Sequence, residues 1–264
     1  MGSELVGFSL LSLGVLLAFM TLVWVVSLPL RNASIVDVVW SLNFLVVAVL
    51  GVAVGDGVEA RRWLLCALVA IWAVRLSAHI FARNHGRGED YRYQGFRKKY
   101  GAERYWWVSL FQVFWLQGAL AWFVSLPLQV VAVGATPAGL TMMDVVGVAL
   151  WAVGFGFEAI GDAQLAAFKR DPASAGTVMD RGLWRYTRHP NYFGDATLWW
   201  GFGAIAVLAP WGWAALVGPV AMTLLLLKVS GVAMLERSIG SRRPGYAAYV
   251  RRTSAFFPRP PKVA

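Results

Sequence analysis

The chain has 264 residues, of which 58% are hydrophobic and 14% charged, against roughly 45–50% and about 25% in soluble domains. The apolar excess excludes an ordinary soluble fold and points to an integral membrane protein whose surface faces lipid. A net charge of +10 would suggest nucleic-acid binding in a soluble protein; here Lys and Arg flank apolar runs, so topology accounts for them and no nucleic-acid partner is expected.

A helix crossing roughly 30 Å of hydrocarbon needs about 20 mostly apolar residues. Seven stretches qualify: 5–28, 35–54, 63–81, 107–133, 142–168, 192–209 and 211–232. They predict an all-α, polytopic membrane protein with seven transmembrane helices. The first has neither a basic leader nor a small-residue cleavage site, so it reads as a retained helix, not a signal peptide. The third holds Cys66 in WLLCALVAIW. One cysteine excludes an internal disulfide and a CxxC metal site, and in that run it reads as a small buried residue. The fifth carries Glu158, Asp162 and Gln164 in its second half. Only Pro210 separates the last two, which predicts a tight helical hairpin. No repeat or low-complexity linker interrupts residues 1–264, so they read as one membrane domain. Within it, 1–106 (three helices and a basic loop) is the expected substrate side and 107–264 (four helices and a basic tail) the cofactor side.

With the N-terminus outside, the inner segments hold 20 Lys and Arg and the outer ones only Arg61 and Arg62. The positive-inside rule then places the C-terminus in the cytoplasm. Trp106, Trp107, Trp199, Trp200, Trp211 and Trp213 fall at or near span ends, as an aromatic belt would.

Charge at the bilayer centre costs from about 2.5 kcal/mol upward, so ionisable residues in spans usually face a pocket or a partner. Asp37 lies early in the second span. Arg75, His79 and Arg83 recur every four residues on the third, and Glu158 and Asp162 are four apart on the fifth, each set on one helical face. All lie in the cytoplasmic halves of their helices. So does the densest polar stretch, RGLWRYTRHPNYFGD at 181–195. Ion pairs made for the fold alone, Asp37 with Arg75 or the acids with Arg185 and Arg188, would explain each set singly. A polar cavity open to the cytoplasm explains all of them. Arginine supplies forked donors for phosphate, while Glu158, Asp162 and Asp195 suit ribose hydroxyls or an amide. That lining favours a dinucleotide or S-adenosylmethionine. No GxGxxG follows a strand and no P-loop is present, and His79, His85 and His189 lack ligand spacing, so no metal is expected.

GLWRYTRHPNYFGD followed by WWG, with the tail from Glu236 through GYAAYVRRTSAFFP, resembles the C-terminal region of the steroid 5-alpha-reductase family. The segments IVDVVWSLNF, WAVRLSAHIFARN, RGEDYRYQ and FEAIGDAQLAAFK resemble its bacterial branch of uncharacterised membrane proteins. Sterol reductases and isoprenylcysteine carboxyl methyltransferases carry related signatures with an RHPxY-like core. The resemblance implies a seven-helix fold that binds NADPH from the cytosolic side and transfers hydride to the beta carbon of an enone. It implies cofactor contacts from Glu158, Asp162, Asn191 and Asp195. Tyr186, Arg188, His189, Tyr192, Tyr246, Tyr249 and Arg252 fall in the segments that wrap it. The steroid reductases polarise the ketone with a tyrosine in the third helix and a glutamate in the second. This chain departs from them, with Leu76 near the tyrosine position, which leaves Arg75, His79, Tyr91 and Tyr93 as donors and Asp37 as an orienting acid. Of these, His79, Tyr93, Asp37 and Arg75 are the expected catalytic set. The implied substrate is lipophilic and enters from the bilayer among membrane lipids: steroid-like, isoprenoid or fatty-acid-derived. An S-adenosylmethionine-dependent methyltransferase and a non-enzymatic membrane protein are the alternatives. Oligomeric state is not encoded in these motifs.

Overall fold

The computed structural model describes residues 2–229 and 245–262, in two packed units: 1–141 with 206–215, and 142–205 with 216–264. Long apolar runs become helices because hydrocarbon offers no partner to a free backbone N–H or C=O. The first unit contains α1 (Gly2–Leu30), α2 (Ile35–Val54), α3 (Glu59–Asn84), α4 (Tyr91–Tyr100), α5 (Glu103–Val124) and α6 (Leu126–Val133). Next in the chain come α7 (Met142–Arg170), α8 (Pro190–Ala206), α9 (Gly212–Val229) and α10 (Tyr246–Arg252). No strand occurs among the described residues, which include one isolated parallel bridge, Thr187 with Ser254.

Six of these helices, α1, α2, α3, α5, α7 and α9, are long and apolar enough to cross a membrane. The protein is built as an integral membrane protein. The remaining expected span, 192–209, is α8, with 17 residues. At 1.5 Å per residue it is about 25 Å long, shorter than a roughly 30 Å hydrocarbon core. Its chain turns into α9 through Pro210 and through Trp211 at φ 63°, which is the hairpin the sequence predicts. Residues 230–232 of the last expected span, and Glu236, Arg237, Arg242 and Arg243 of the tail, lie outside the described residues.

Two expectations are corrected. The run 107–133 is not one helix. It breaks at Ser125, because Pro127 has no N–H to continue the ladder. At the break the carbonyl of Trp122 accepts side-chain donors, Ser125 Oγ (2.8 Å) and Gln129 Nε2 (2.7 Å), and α6 is buried from Pro127 to Ala132. Cys66 is half-buried, not enclosed, since it sits beside the outward face of α3 that Trp63 exposes.

In the first unit, α1 buries Phe8, Ser12, Leu16, Met20, Val23 and Ser27, a stripe repeating every three to four residues. Its other face exposes Leu10, Leu11, Leu22, Val25 and Val26, acceptable only against lipid. Along the stripe α1 is zipped to α5 by Trp24 Nε1 to Trp106 O (2.8 Å), Trp115 Nε1 to Thr21 Oγ1 (2.9 Å) and Trp122 Nε1 to Ser9 O (2.9 Å). Helices α2 and α3 meet through Phe44 on Trp72 and through Ser41, whose hydroxyl donates to Ala73 O (2.9 Å).

The second unit rests on glycine. Gly147, Gly154 and Gly161 of α7 recur every seven residues, as do Gly194 and Gly201 of α8. A Cβ on Gly154 would lie 2.4 Å from Leu198 N and 2.5 Å from Gly194 O; one on Gly194, 2.4 Å from Glu158 N. The helices therefore cross backbone to backbone, the small-residue packing favoured where lipid removes the hydrophobic drive between helices. Because of that contact, Glu158 and Asp162 of α7 lie against the first turns of α8.

Candidate functional site

In the second unit, Glu158 and Asp162 are buried, at 3% and 7% exposure. Asn191, in the first turn of α8, donates its amide to Asp162 Oδ1 (3.1 Å), and its own carbonyl oxygen accepts from Tyr192 N (3.1 Å). Asp195 follows four residues later, half-buried on the same helical face as Asn191.

The connection before α8 folds back onto the end of α7. Leu183 N donates to Gln164 Oε1 (3.0 Å) and Trp184 Nε1 to Gly161 O (3.0 Å). Gly182 makes this turn at φ 58°, left-handed backbone that favours glycine. Above it lies the C-terminal segment. Tyr249 Oη donates to Trp184 O (2.5 Å); burial, and then Tyr246 beside it, push the Tyr249 phenol above its ordinary range. Arg188 donates through its guanidinium to Val250 O (3.1 Å) and Thr253 O (3.0 Å), and through its backbone to Ser254 O (2.9 Å). Thr187 Oγ1 donates to Phe256 O (2.8 Å). His189 is buried and stacks on Tyr192, ring centroids 5.7 Å apart. Arg252 pairs with Asp180.

The structure thus gathers Glu158, Asp162, Asn191, Tyr192 and Asp195 around the helix crossing. It places Arg188 under the tail and Tyr246 and Tyr249 within it, where Arg188 and Tyr249 hold backbone carbonyls. Tyr186 is exposed, as are Arg181, Arg185, Arg251 and Arg259. Buried acids, a half-buried amide and exposed arginines on one segment form a set that can take hydroxyls or an amide on one part of a ligand and phosphate on another. Sequence reading missed Asp180 and Thr187, whose partners are 72 and 69 residues away.

The expected catalytic set lies in the first unit. Asp37, near the start of α2, accepts Tyr93 Oη at Oδ1 (2.7 Å) and Arg92 at Oδ2 (2.6 Å). Gln117 Nε2 donates to the same tyrosine oxygen (3.3 Å). Tyr93 is 4% exposed; burial first, then the Asp37 carboxylate, push its phenol far above the ordinary range. Arg92 also binds Asp90 (2.8 Å). Burial alone would raise the Asp90 carboxyl, but the hydrogen bonds and charge of Arg92 hold it below its usual value. Asp90 caps α4 by accepting Arg92 N (3.0 Å), and its own N–H donates to Ser34 Oγ (2.6 Å). Glu89 accepts Arg97 at both oxygens (2.9 Å each) and Ala33 N (2.8 Å). This network fastens α4 to the start of α2. Arg75 and His79 are half-buried one turn apart on α3, while Tyr91 is 70% exposed.

The partner of Asp37 is therefore Arg92, from the loop helix, and not Arg75, which the sequence offers as the alternative ion-pair partner. Sequence reading missed Arg92, Asp90, Glu89, Arg97 and Gln117. Gln117 left a weak signal, as one of three amides, with Gln112 and Gln129, inside the apolar run 107–133. Among the described residues no three His, Cys, Asp or Glu side chains converge as a metal site requires.

Residues 23–253 match the family described as "Protein of unknown function (DUF1295)". A protein of Schizosaccharomyces pombe described as "Uncharacterized protein C594.04c" is 26% identical over 289 aligned positions, covering 93% of this chain and 79% of its own length. No solved structure matches the chain.

Proposed function

The chain belongs to the DUF1295 family, and on that footing we propose that it is a membrane reductase of the steroid 5-alpha-reductase type. It uses NADPH to reduce a carbon–carbon double bond conjugated to a carbonyl in a lipophilic substrate drawn from the bilayer. The observation that carries this reading is the Asp162–Asn191 hydrogen bond at a glycine-only helix crossing, with Glu158 buried one turn before it. A buried carboxylate and a half-buried amide fixed in this way select hydroxyl and amide groups, while Arg181, Arg185 and Tyr186 supply phosphate donors on the adjoining segment. The donor set fits a dinucleotide phosphate. Glu158, Asp162, Asn191 and Asp195 would hold its ribose and carboxamide end, and His189 stacked on Tyr192 would wall it from solvent.

When bound, the cofactor supplies the hydride. Addition at the beta carbon moves negative charge onto the carbonyl oxygen, which needs donors set in place beforehand. Arg75 and His79 of α3 are assigned that role. Tyr93 has its one proton on Asp37, so it and Asp37 are positioning residues that fix α4 to the start of α2. The seventh span is α8, with the N-terminus outside and the C-terminus in the cytoplasm of a bacterial inner membrane.

The test is cofactor binding by the detergent-purified protein, followed by NADPH oxidation with a reporter enone. Asn191→Ala and Asp195→Ala are expected to weaken NADPH binding at least tenfold with the helical signal intact. His79→Ala should lower turnover at least tenfold with NADPH affinity within about twofold. Unchanged NADPH titration in the first pair, or binding of S-adenosylmethionine in its place, overturns the reductase reading in favour of a methyltransferase or a non-enzymatic protein.

A further inference from the structure

A cleft of about 170 Å³ opens between the start of α2 and the end of α3, lined by Asn32, Ser34, Ile35, Val38, Phe81, Asn84, His85, Gly86 and Gly88. None of the expected cofactor or catalytic residues lines it. Its lining is divided by chemistry. Ile35, Val38 and Phe81 belong to the spans and make an apolar side. Asn32, Ser34, Asn84, His85 and the two glycines belong to the flanking turns and make a polar one. No carboxylate is among them.

Charge around the cleft is net positive. Of the nearby acids, Asp37 and Asp90 share Arg92 and Glu89 pairs with Arg97, which leaves one negative charge among them. Arg31, Arg83 and Arg87, on the same two segments as the cleft lining, are exposed. Arg83 is steadied by Nε donating to Asn84 Oδ1 (3.1 Å), and Arg87 N donates to Asn84 O (3.1 Å). His85 lies against Phe81, ring centroids 5.3 Å apart.

Depth identifies the occupant. With 26 residues, α3 is about 39 Å long and exceeds a hydrocarbon core of roughly 30 Å, so its final turn lies among the headgroups. A cleft at that level, apolar towards the core, polar towards water and rimmed by exposed arginines, matches an anionic phospholipid. Its phosphate would meet the arginines and its glycerol the turn, with an acyl chain along Ile35, Val38 and Phe81. We infer that this cleft is a binding site for one anionic phospholipid, separate from the reductase chemistry and independent of it.

The experiment is native mass spectrometry of the full-length protein released from micelles containing equal phosphatidylglycerol and phosphatidylcholine. The wild type should retain one phosphatidylglycerol adduct in at least fivefold excess over phosphatidylcholine. The double variant Arg83→Gln/Arg87→Gln should lose that excess, and Val38→Phe, which fills the apolar side, should lower total occupancy. Lys98→Gln/Lys99→Gln, which removes equal charge from α4 away from the cleft, should retain it. Equal loss in both double variants would mean diffuse attraction and overturn the site. So would equal retention of both lipids, or displacement of the adduct by sn-glycerol 3-phosphate at matched concentration, which would make the ligand a free anion.

Discussion

Tyr93 shows how much one side chain is asked to do at the edge of this membrane. Its hydroxyl satisfies Asp37, receives Gln117, and is almost wholly enclosed. A hydrogen bond to a charged group contributes about 1.5–3 kcal/mol, so Tyr93→Phe is expected to destabilise the first unit by about that amount. The loss has a pH signature. Because burial and Asp37 raise the folded phenol above its unfolded value, the folded state retains a proton that the unfolded state releases near pH 10. The stabilisation is complete below that pH and declines as pH rises above it. Thermal melts between pH 8 and 11 should therefore show wild type and Tyr93→Phe converging at the alkaline end. Parallel curves across the range would refute the linkage.

The sequence could show that Asp37 needed a partner but not which one. A charge inside an apolar run demands compensation, and Arg75 on the neighbouring span was the nearest candidate by pattern. Arg92 won because α4 folds over the start of α2, a placement set by Ser34, Ala33 and Glu89 across 56 residues of chain. Asn191 and Asp162 were legible because each sits in a dense local motif. The motif singles out Arg188, but not its hold on the carbonyls of 250 and 253.

At the scale of elements, spans were the most legible feature, since length and apolarity alone decide them. The break at Ser125 was harder to foresee, although Pro127 stood in the run, because α6 remains apolar and is buried by its neighbours. Helix α4 went unseen as an element: YRYQGFRKKY carries too few apolar residues to register beside the spans, and it is held by ion pairs. The glycine crossing of α7 and α8 yields the sharpest mechanical prediction. Gly194→Val would push side-chain carbon into Glu158 N and Gly154 O. Overpacking costs about 1–3 kcal/mol where neighbours can move, and backbone cannot. Gly194→Val should therefore lower the melting temperature and abolish NADPH binding together, while Gly156→Ala, with open space around it, should leave both unchanged. Normal binding in Gly194→Val would mean that the crossing does not set the site.

For the molecule as a whole, the charge asymmetry makes an orientation prediction. In a Cys66→Ser background, a cysteine at Lys98 is expected to react with an impermeant maleimide in inverted membrane vesicles and to be protected in sealed cells. A cysteine at Asp56, in the turn between α2 and α3, should show the opposite pattern. The reverse result would invert the topology and with it the assignment of the 181–195 stretch to the cytoplasm.

The bridge between Thr187 and Ser254 bears on how the protein is made. Residues 186–188 take hydrogen bonds from or give them to 250, 253, 254, 256 and 259, so this stretch is finished only by chain synthesised some seventy residues later. Helices α7 and α8 can cross as soon as they enter the bilayer. The roof over them must wait at the ribosome until Arg259 has emerged. A nascent chain released after residue 245 would carry Glu158, Asp162, Asn191 and Asp195 intact and still lack the clasp that closes over Trp184 and Arg188.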